Sequence, residues 1–254
     1  MSKVLIEQHG QVSVIRINRP ERRNAVDAET ASLLLAAFED FEADDESAAA
    51  VLTGTGESFC AGYDLHSVAT SRPVHDPDGP GPMGPTRMLL SKPVIAAVEG
   101  HAVAGGLELA LWCDLRVASE TAIFGVFCRR WGVPLIDGGT VRLPRIIGQG
   151  RALDMLLTGR PVDAAEAMSM GLANRLAAPG EALSDALRLA RSIAVFPQLC
   201  MRADRRSSYT QWDSDITGAL RIEAAGGEAP LRKEGLPGAA RFAAGEGRAG
   251  QFDQ

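Results

Sequence analysis

The stretch Lys92–Ser119, KPVIAAVEGHAVAGGLELALWCDLRVAS, decides the fold class. Its VIAAV run is short and apolar, as in a strand that is buried on both faces. A loop follows, Gly105 and Gly106 then open an amphipathic helix that ends near Asp114, and LRVA is a further strand. Strands and helices that alternate in this way predict an α/β fold with a parallel sheet and helices outside it.

The N-terminal sequence extends this pattern. Residues Val4–Ile17 predict two strands that turn at His9-Gly10, because β-branched residues flank a glycine. Asp27 is placed to cap a helix whose apolar residues recur at helical spacing. The apolar run Ala48–Thr53 predicts another buried strand.

The rest of the chain divides into a loop and a helical part. Between Ala69 and Pro85, five prolines and three glycines predict a mobile surface loop without regular structure. From about Gln149 onward the spacing is helical, and Gly171 is expected to end one of these helices. We therefore expect an α/β core over residues 1–195 and a helical region over residues 196–254.

Composition excludes several classes of protein. The chain has 254 residues, of which 46% are hydrophobic and 23% charged, as in soluble globular proteins without a membrane span. A net charge of −6 repels a phosphate backbone, so nucleic acid is not expected as a partner. The four cysteines, Cys60, Cys113, Cys128 and Cys200, lack the spacing of a metal site or a disulfide framework. With no signal peptide at the N-terminus, the sequence predicts a protein of the reducing cytoplasm.

The start of the Gly105 helix is the first candidate site. Its N–H groups have no partner within the helix and could bind developing negative charge, and Glu108 lies one turn along the same face. The alternative is structural: paired glycines serve packing, and a first-turn carboxylate complements the helix dipole by about 0.3–1 kcal/mol. A phosphate loop is excluded, because Gly106-Leu107 stands where Lys-Ser/Thr is required.

A second segment, Ser58–Leu65 (SFCAGYDL), follows the Ala48–Thr53 strand. Together with AGGLE around Gly105, and with Pro20 followed by Asn24-Ala25-Val26, it resembles the enoyl-CoA hydratase/isomerase family, the crotonases. That family is marked by F-x-A-G-x-D-L, a later G-G-x-E and an N-terminal P-x-x-x-N-A-x. The resemblance covers nearly the whole chain. It implies a crotonase-like fold of stacked ββα-type units, with a helical C-terminal region that packs in a homotrimer or hexamer.

The resemblance also implies a site and a substrate. An acyl-CoA thioester would place its carbonyl oxygen between the N–H groups of Ala61 and Gly105, which would stabilise an enolate. Glu108 would act as general base or acid, with no permanently bound cofactor and no metal. The residues implied to line the CoA arm are Arg23, Asn24, Ala25, Ala61, Asp64 and Leu65.

The sequence departs from the family at the second catalytic position. Family hydratases carry a second glutamate there, and this chain has Cys128. Cys128 is either a thiolate activated by Arg129 and Arg130 or a small side chain that fills buried space. Asp137 is either an acid that replaces the missing glutamate or a turn residue. We expect hydration of a 2-enoyl-CoA. Isomerisation, decarboxylation, thioester hydrolysis and non-catalytic acyl-CoA binding remain open alternatives.

Overall fold

The computed structural model describes residues 2–70 and 76–247, and within these ranges it is an α/β structure. The strands are β1 Val4–His9, β2 Val12–Ile17, β3 Ala49–Gly54, β4 Val94–Val98, β5 His101–Val103, β6 Leu115–Ser119, β7 Ile123–Gly125, β8 Val162–Asp163 and β9 Arg175–Ala177. The helices are α1 Ala28–Ala43, α2 Leu65–Thr70, α3 Gly105–Trp112, α4 Gly139–Ile147, α5 Gln149–Thr158, α6 Ala164–Ser169, α7 Ala182–Ala194, α8 Gln198–Thr210, α9 Ile216–Pro230 and α10 Leu236–Ala244. Short 3₁₀ turns include Pro85–Arg87 and Phe127–Trp131.

Two sheets carry the fold. The larger has the order β1-β2-β3-β4-β6-β9, in which β1 and β2 are antiparallel and every later pair is parallel. The smaller has the order β5-β7-β8, and its first pair is parallel. The predicted α/β class with a mainly parallel sheet is therefore confirmed.

Local sequence explains where these elements begin and turn. The β1–β2 hairpin turns at Gly10, whose φ of +65° lies in the left-handed region. Asp27 caps α1 by accepting a hydrogen bond from the Thr30 N–H. Every residue of β3 and β4 is buried, as expected for central strands covered on both faces. The strand β4 is followed by β5 and then by α3, whose fourth residue is Glu108.

The contacts divide the chain into two units, Met1–Arg191 and Ser192–Gln254. The first unit holds the hydrophobic core, in which the Phe38 ring meets the Trp112 ring edge-on with centroids 4.7 Å apart. The second unit is helical, and Glu234 caps α8 by accepting from the N–H groups of Leu199 and Cys200.

The predicted surface loop between Ala69 and Pro85 differs from the structure in its second half. Residues 71–75 of this segment lie outside the described residues. Gly81 and Gly84 form a bridge, and Met83 between them is fully buried in the core. The prediction of a surface loop is therefore wrong for Gly81–Pro85, because Met83 adds apolar surface to the core and Gly84 supplies the positive φ of the turn.

Candidate active site

A cavity of about 580 Å³ lies in the first unit. Its walls come from the Ser58–Leu65 segment, from α2, from Pro82-Met83, from β5 with the start of α3, and from residues 127–137. The predicted site residues on these walls are Arg23, Ala61, Leu65, Gly105, Glu108, Cys128 and Asp137. Residues far apart in the sequence thus meet around one space, mostly apolar with a few polar groups, as in a small-molecule site.

Glu108 presents one carboxylate oxygen to this cavity. Its side chain is 2% exposed, and Oε1 accepts hydrogen bonds from the N–H groups of Asp137 (2.9 Å) and Gly139 (2.8 Å). Oε2 accepts no hydrogen bond from the described residues and is not completely buried, so it faces the cavity. Burial raises the pKa of Glu108 to about 7, and the charge of Asp137 adds to this effect.

Asp137, like Glu108, is buried and has one carboxylate oxygen that accepts two hydrogen bonds. It is 3% exposed, and its Oδ1 accepts from the Met83 N–H (3.0 Å) and from the Thr86 hydroxyl. Oδ2 accepts no hydrogen bond from the part of the chain that the structure describes, and it too borders the cavity. Burial raises the pKa of Asp137, and the Thr86 hydroxyl opposes that rise. Two carboxylates, each anchored by one oxygen, therefore offer the other oxygen to a ligand.

The buried Glu108 carboxyl makes the stability of the fold depend on pH. Its pKa is about 7 in the folded protein and 4.5 in the unfolded chain, so the folded state binds more protons between these values and stability falls as the pH rises through them. The loss above pH 7 is about 3 kcal/mol, at about 1.4 kcal/mol per pKa unit.

We expect the free energy of unfolding of Glu108→Gln not to fall in this way as the pH rises, because an amide does not ionise. Urea unfolding at pH 4.5 and pH 8 should show that the variant gains stability over the wild-type protein as the pH rises. A difference between the two proteins that is the same at both pH values would contradict this account of Glu108.

The predicted Ala61 donor is wrong, because its N–H already donates to the Arg23 carbonyl oxygen at 3.0 Å. Two residues later, the Gly62 carbonyl accepts from the Val26 N–H and the Asp64 N–H donates to the Val26 carbonyl, both at 2.8 Å. In this parallel bridge between Tyr63 and Val26, the Tyr63 N–H points away from Val26. It meets no acceptor among the described residues, and Tyr63 lines the cavity.

The Gly105 N–H group is left without a partner among the residues that the structure describes, as its predicted role as a donor requires. Gly105 is the first residue of α3, where N–H groups lack a partner within the helix, and its N–H meets no acceptor in the described ranges. A Cβ on Gly62 would lie 3.0 Å from the Gly105 nitrogen, so the two segments are in contact. Tyr63 and Gly105 therefore each leave a main-chain N–H group free on the cavity wall.

Ala104 holds the Gly105 amide through a strained backbone. Its φ of 53° and ψ of −124° are rare for a residue with a side chain and cost about 1–3 kcal/mol. Its own N–H donates to the Gly125 carbonyl oxygen at 2.9 Å, which fixes this conformation.

Replacing Ala104 by Gly should raise the free energy of unfolding by about 1 kcal/mol, because relief of strain exceeds the added freedom of the unfolded chain. The control is Ala110→Gly, inside α3, which should destabilise by about 1 kcal/mol or more. Urea unfolding measures both, and a destabilised Ala104→Gly would show that position 104 is not strained.

Cys128 lies on the cavity wall in the 3₁₀ turn Phe127–Trp131 and is 7% exposed. Burial raises the pKa of its thiol, the charge of Glu108 adds to that rise, and Arg129 opposes it. The direction of this shift favours the interpretation of Cys128 as a side chain that fills buried space over that of a thiolate activated by arginine.

The residues expected along the CoA arm fall into two groups. Arg23, Ala61 and Leu65 border the cavity, and Arg23 and Leu65 are exposed. The Asn24 side chain is buried, where it accepts from the Arg19 N–H (2.9 Å) and donates to the Thr55 (2.9 Å) and Ser58 (2.6 Å) carbonyls.

Ala25 and Asp64 complete this second group. The Ala25 carbonyl accepts from the Arg19 guanidinium, which also bonds Asp64 at 3.1 Å. Asp64 accepts from the His66 N–H as well, at 3.0 Å. These three predicted residues thus hold the loops around the cavity with internal bonds.

The sequence interpretation missed Tyr63, Met83 and Thr86. Nothing near Thr86 in the sequence indicates its bond to Asp137, which lies 51 positions away. Among residues 2–70 and 76–247, no three histidine, cysteine or acidic side chains gather closely enough to hold a metal ion.

Comparisons with known proteins agree with the family expected from SFCAGYDL and AGGLE. The model of the family described as enoyl-CoA hydratase/isomerase matches residues 7–235. Enoyl-CoA hydratase EchA19 of Mycobacterium tuberculosis is 40% identical over 210 residues, which cover 80% of this chain and 79% of that protein. Short-chain-enoyl-CoA hydratase of Clostridium acetobutylicum is 34% identical over 88% of this chain and 87% of its own.

A solved structure agrees as well. Enoyl-CoA hydratase EchA1 from Mycobacterium marinum matches with a TM-score of 0.89 and 35% identity, covering 95% of this chain and 96% of that one. The predicted crotonase-like fold is thereby confirmed. The chain belongs to the enoyl-CoA hydratase/isomerase family.

Proposed function

We propose that the protein adds water to the double bond of a 2-enoyl-CoA. The observation that carries this proposal is the pair of carboxylates, Glu108 and Asp137, each with one oxygen anchored and the other open to the cavity. Relatives named enoyl-CoA hydratase at 34–41% identity support a CoA thioester as the substrate.

The two free N–H groups supply the electrostatic part of the reaction. When water attacks Cβ, the electron pair of the double bond moves toward the thioester oxygen, which becomes an enolate oxygen. The N–H groups of Tyr63 and Gly105 donate to that oxygen, and one such preorganised donor typically contributes about 3 kcal/mol to the stability of the transition state. They act without reorganisation because both are part of the main chain.

The two carboxyl groups carry the protons. In this scheme Asp137 is the ionised carboxylate, and Glu108, whose pKa burial and the charge of Asp137 raise to about 7, is the protonated one. Asp137 then takes a proton from the attacking water, and the protonated Glu108 delivers its proton to Cα. One O–H bond of water breaks, C–O and C–H bonds form, and the enzyme ends with its proton on Asp137 instead of Glu108.

The test is the ultraviolet absorbance of a conjugated enoyl-CoA, followed with mass spectrometry across a panel of chain lengths. Hydration removes the absorbance and adds the mass of one water. No change for any chain length would rule the proposal out.

Isomerisation is the second candidate, because two carboxylates around one cavity can also move a proton from one carbon to another. The same experiment separates it, since an isomerase changes the absorbance without adding mass. Tight binding without any turnover would instead indicate a non-catalytic acyl-CoA binder.

Cys128 takes no proton in this scheme. We expect Cys128→Ser to change kcat by no more than about threefold, far less than the 10²–10⁴-fold contributed by a general acid or base. A loss above tenfold would give Cys128 a part in the chemistry, and Cys113→Ser, buried elsewhere in the core, is the matched control.

The proposed function also covers the substrate, the cellular compartment and the oligomeric state. It uses a CoA thioester as substrate, with no bound cofactor, in the cytoplasm, where the free thiols would stay reduced. None of the helices within the described residues has the length and apolar character needed to span a bilayer. Exposed apolar side chains on the helical unit, such as Trp212, Ile216 and Phe242, support a homotrimer or hexamer, which light scattering would measure.

A further inference from the structure

Thr86 and Arg142 tie the Pro85–Arg87 turn to the segment that holds Asp137. The fully buried Thr86 donates its hydroxyl hydrogen to Asp137 Oδ1. The Arg142 guanidinium donates through Nη2 to the Thr86 carbonyl oxygen (2.6 Å) and through Nη1 to the Asp137 carbonyl oxygen (2.9 Å). Arg142 therefore bridges the main chains of the two residues that share the hydrogen bond.

Gly81 leaves room for this contact. A Cβ on Gly81 would overlap both the Thr86 hydroxyl and Asp137 Oδ1. The bond between Thr86 and Asp137 thus exists only because a glycine lies against it, and Gly81 belongs to the buried half of the segment predicted to be a surface loop.

The hydroxyl has two effects on the Asp137 carboxylate. It occupies Oδ1 together with the Met83 N–H, which leaves Oδ2 as the oxygen that meets the cavity. It also favours the charged carboxylate, since a donor stabilises an acceptor more when the acceptor is ionised. The other titratable groups whose charges act on or with Asp137 are Glu108, Arg87, Arg142 and Tyr63.

We propose that Thr86 is a positioning residue for the reaction: held by Arg142 and given room by Gly81, its hydroxyl aims the free oxygen of Asp137 at the substrate and keeps that carboxylate ionised. This inference rests on the proposed function, in which Asp137 receives the proton of the attacking water.

The test compares Thr86→Val with Thr86→Ser in full pH profiles of hydration by the intact protein. Valine has the shape of threonine without the hydroxyl, so the acidic limb of kcat/KM should move up by about one pH unit. At neutral pH kcat should fall about tenfold while KM stays within about twofold, because Thr86 does not line the cavity. Thr86→Ser keeps the donor and should restore both the rate and the profile.

Two further measurements keep the inference falsifiable. In the background of Asp137→Asn, Thr86→Val should cause no additional loss, because the residue it positions has lost its charge. If the valine variant does not fold, Thr86→Ala removes the same hydroxyl with less crowding and carries the same expectations.

The outcomes separate this inference from the proposed function. A wild-type protein that hydrates no enoyl-CoA would end the proposed function itself. An active wild-type protein whose Thr86→Val and Thr86→Ala variants keep its pH profile would overturn the positioning role alone. So would a Thr86→Val effect of equal size with and without the Asp137 carboxylate.

Discussion

Glu108→Gln is expected to lower kcat for hydration about 10³-fold, the middle of the range for loss of a general acid or base. Glutamine keeps an oxygen that accepts the Asp137 and Gly139 N–H groups, so the geometry of the site should survive. The amide that faces the cavity does not exchange protons. KM should change little, because Glu108 contributes to the transition state more than to the bound substrate.

The pH profile gives a second measurement of the same residue. The wild-type kcat/KM should fall as the pH rises past about 7, where Glu108 loses the proton that it delivers. The residual activity of Glu108→Gln should lack that alkaline limb. The role of Glu108 would have to be abandoned if the variant kept more than about a tenth of the wild-type kcat.

Asp137→Asn should lower kcat by about 10²-fold or more, because it removes the base that accepts the proton of water. Asparagine keeps an oxygen for the Met83 N–H and the Thr86 hydroxyl, so the Gly81–Arg87 segment should stay in place. The acidic limb of the kcat/KM profile should disappear, since no carboxylate remains to be protonated there.

Asp114→Asn is the matched control for this change. Asp114 is an acidic residue that follows α3, accepts a hydrogen bond from the Val94 N–H and does not line the cavity. It should keep kcat within a fewfold of the wild-type value. Unchanged turnover in Asp137→Asn would leave Glu108 as the one carboxylate of the mechanism and would favour a different acceptor for the proton of the attacking water.

Local patterns predicted the parts of the site that local structure determines. Gly105 and Glu108 lie three positions apart at the start of one helix, so their shared face follows from helix geometry alone. The buried strands and the Asp27 cap are also short-range features, which explains why their positions agree with the prediction.

The errors concern contacts between distant segments. The prediction of Ala61 as a donor failed because the Arg23 carbonyl reaches Ala61 from a turn in which Arg23 and Asn24 both have positive φ, a conformation that an arginine does not indicate. The burial of Gly81–Thr86 depends on Asp137, more than fifty positions later, and a composition rich in proline and glycine does not reveal such a partner.

The use of the Tyr63 main chain has a consequence for how the enzyme could diversify. An amide hydrogen is common to every residue type except proline, so the proposed donor at position 63 survives almost any exchange of the side chain attached to it. That side chain borders the chamber. Selection or design could therefore change the volume beside position 63 while the proposed hydrogen bond to the thioester oxygen is kept.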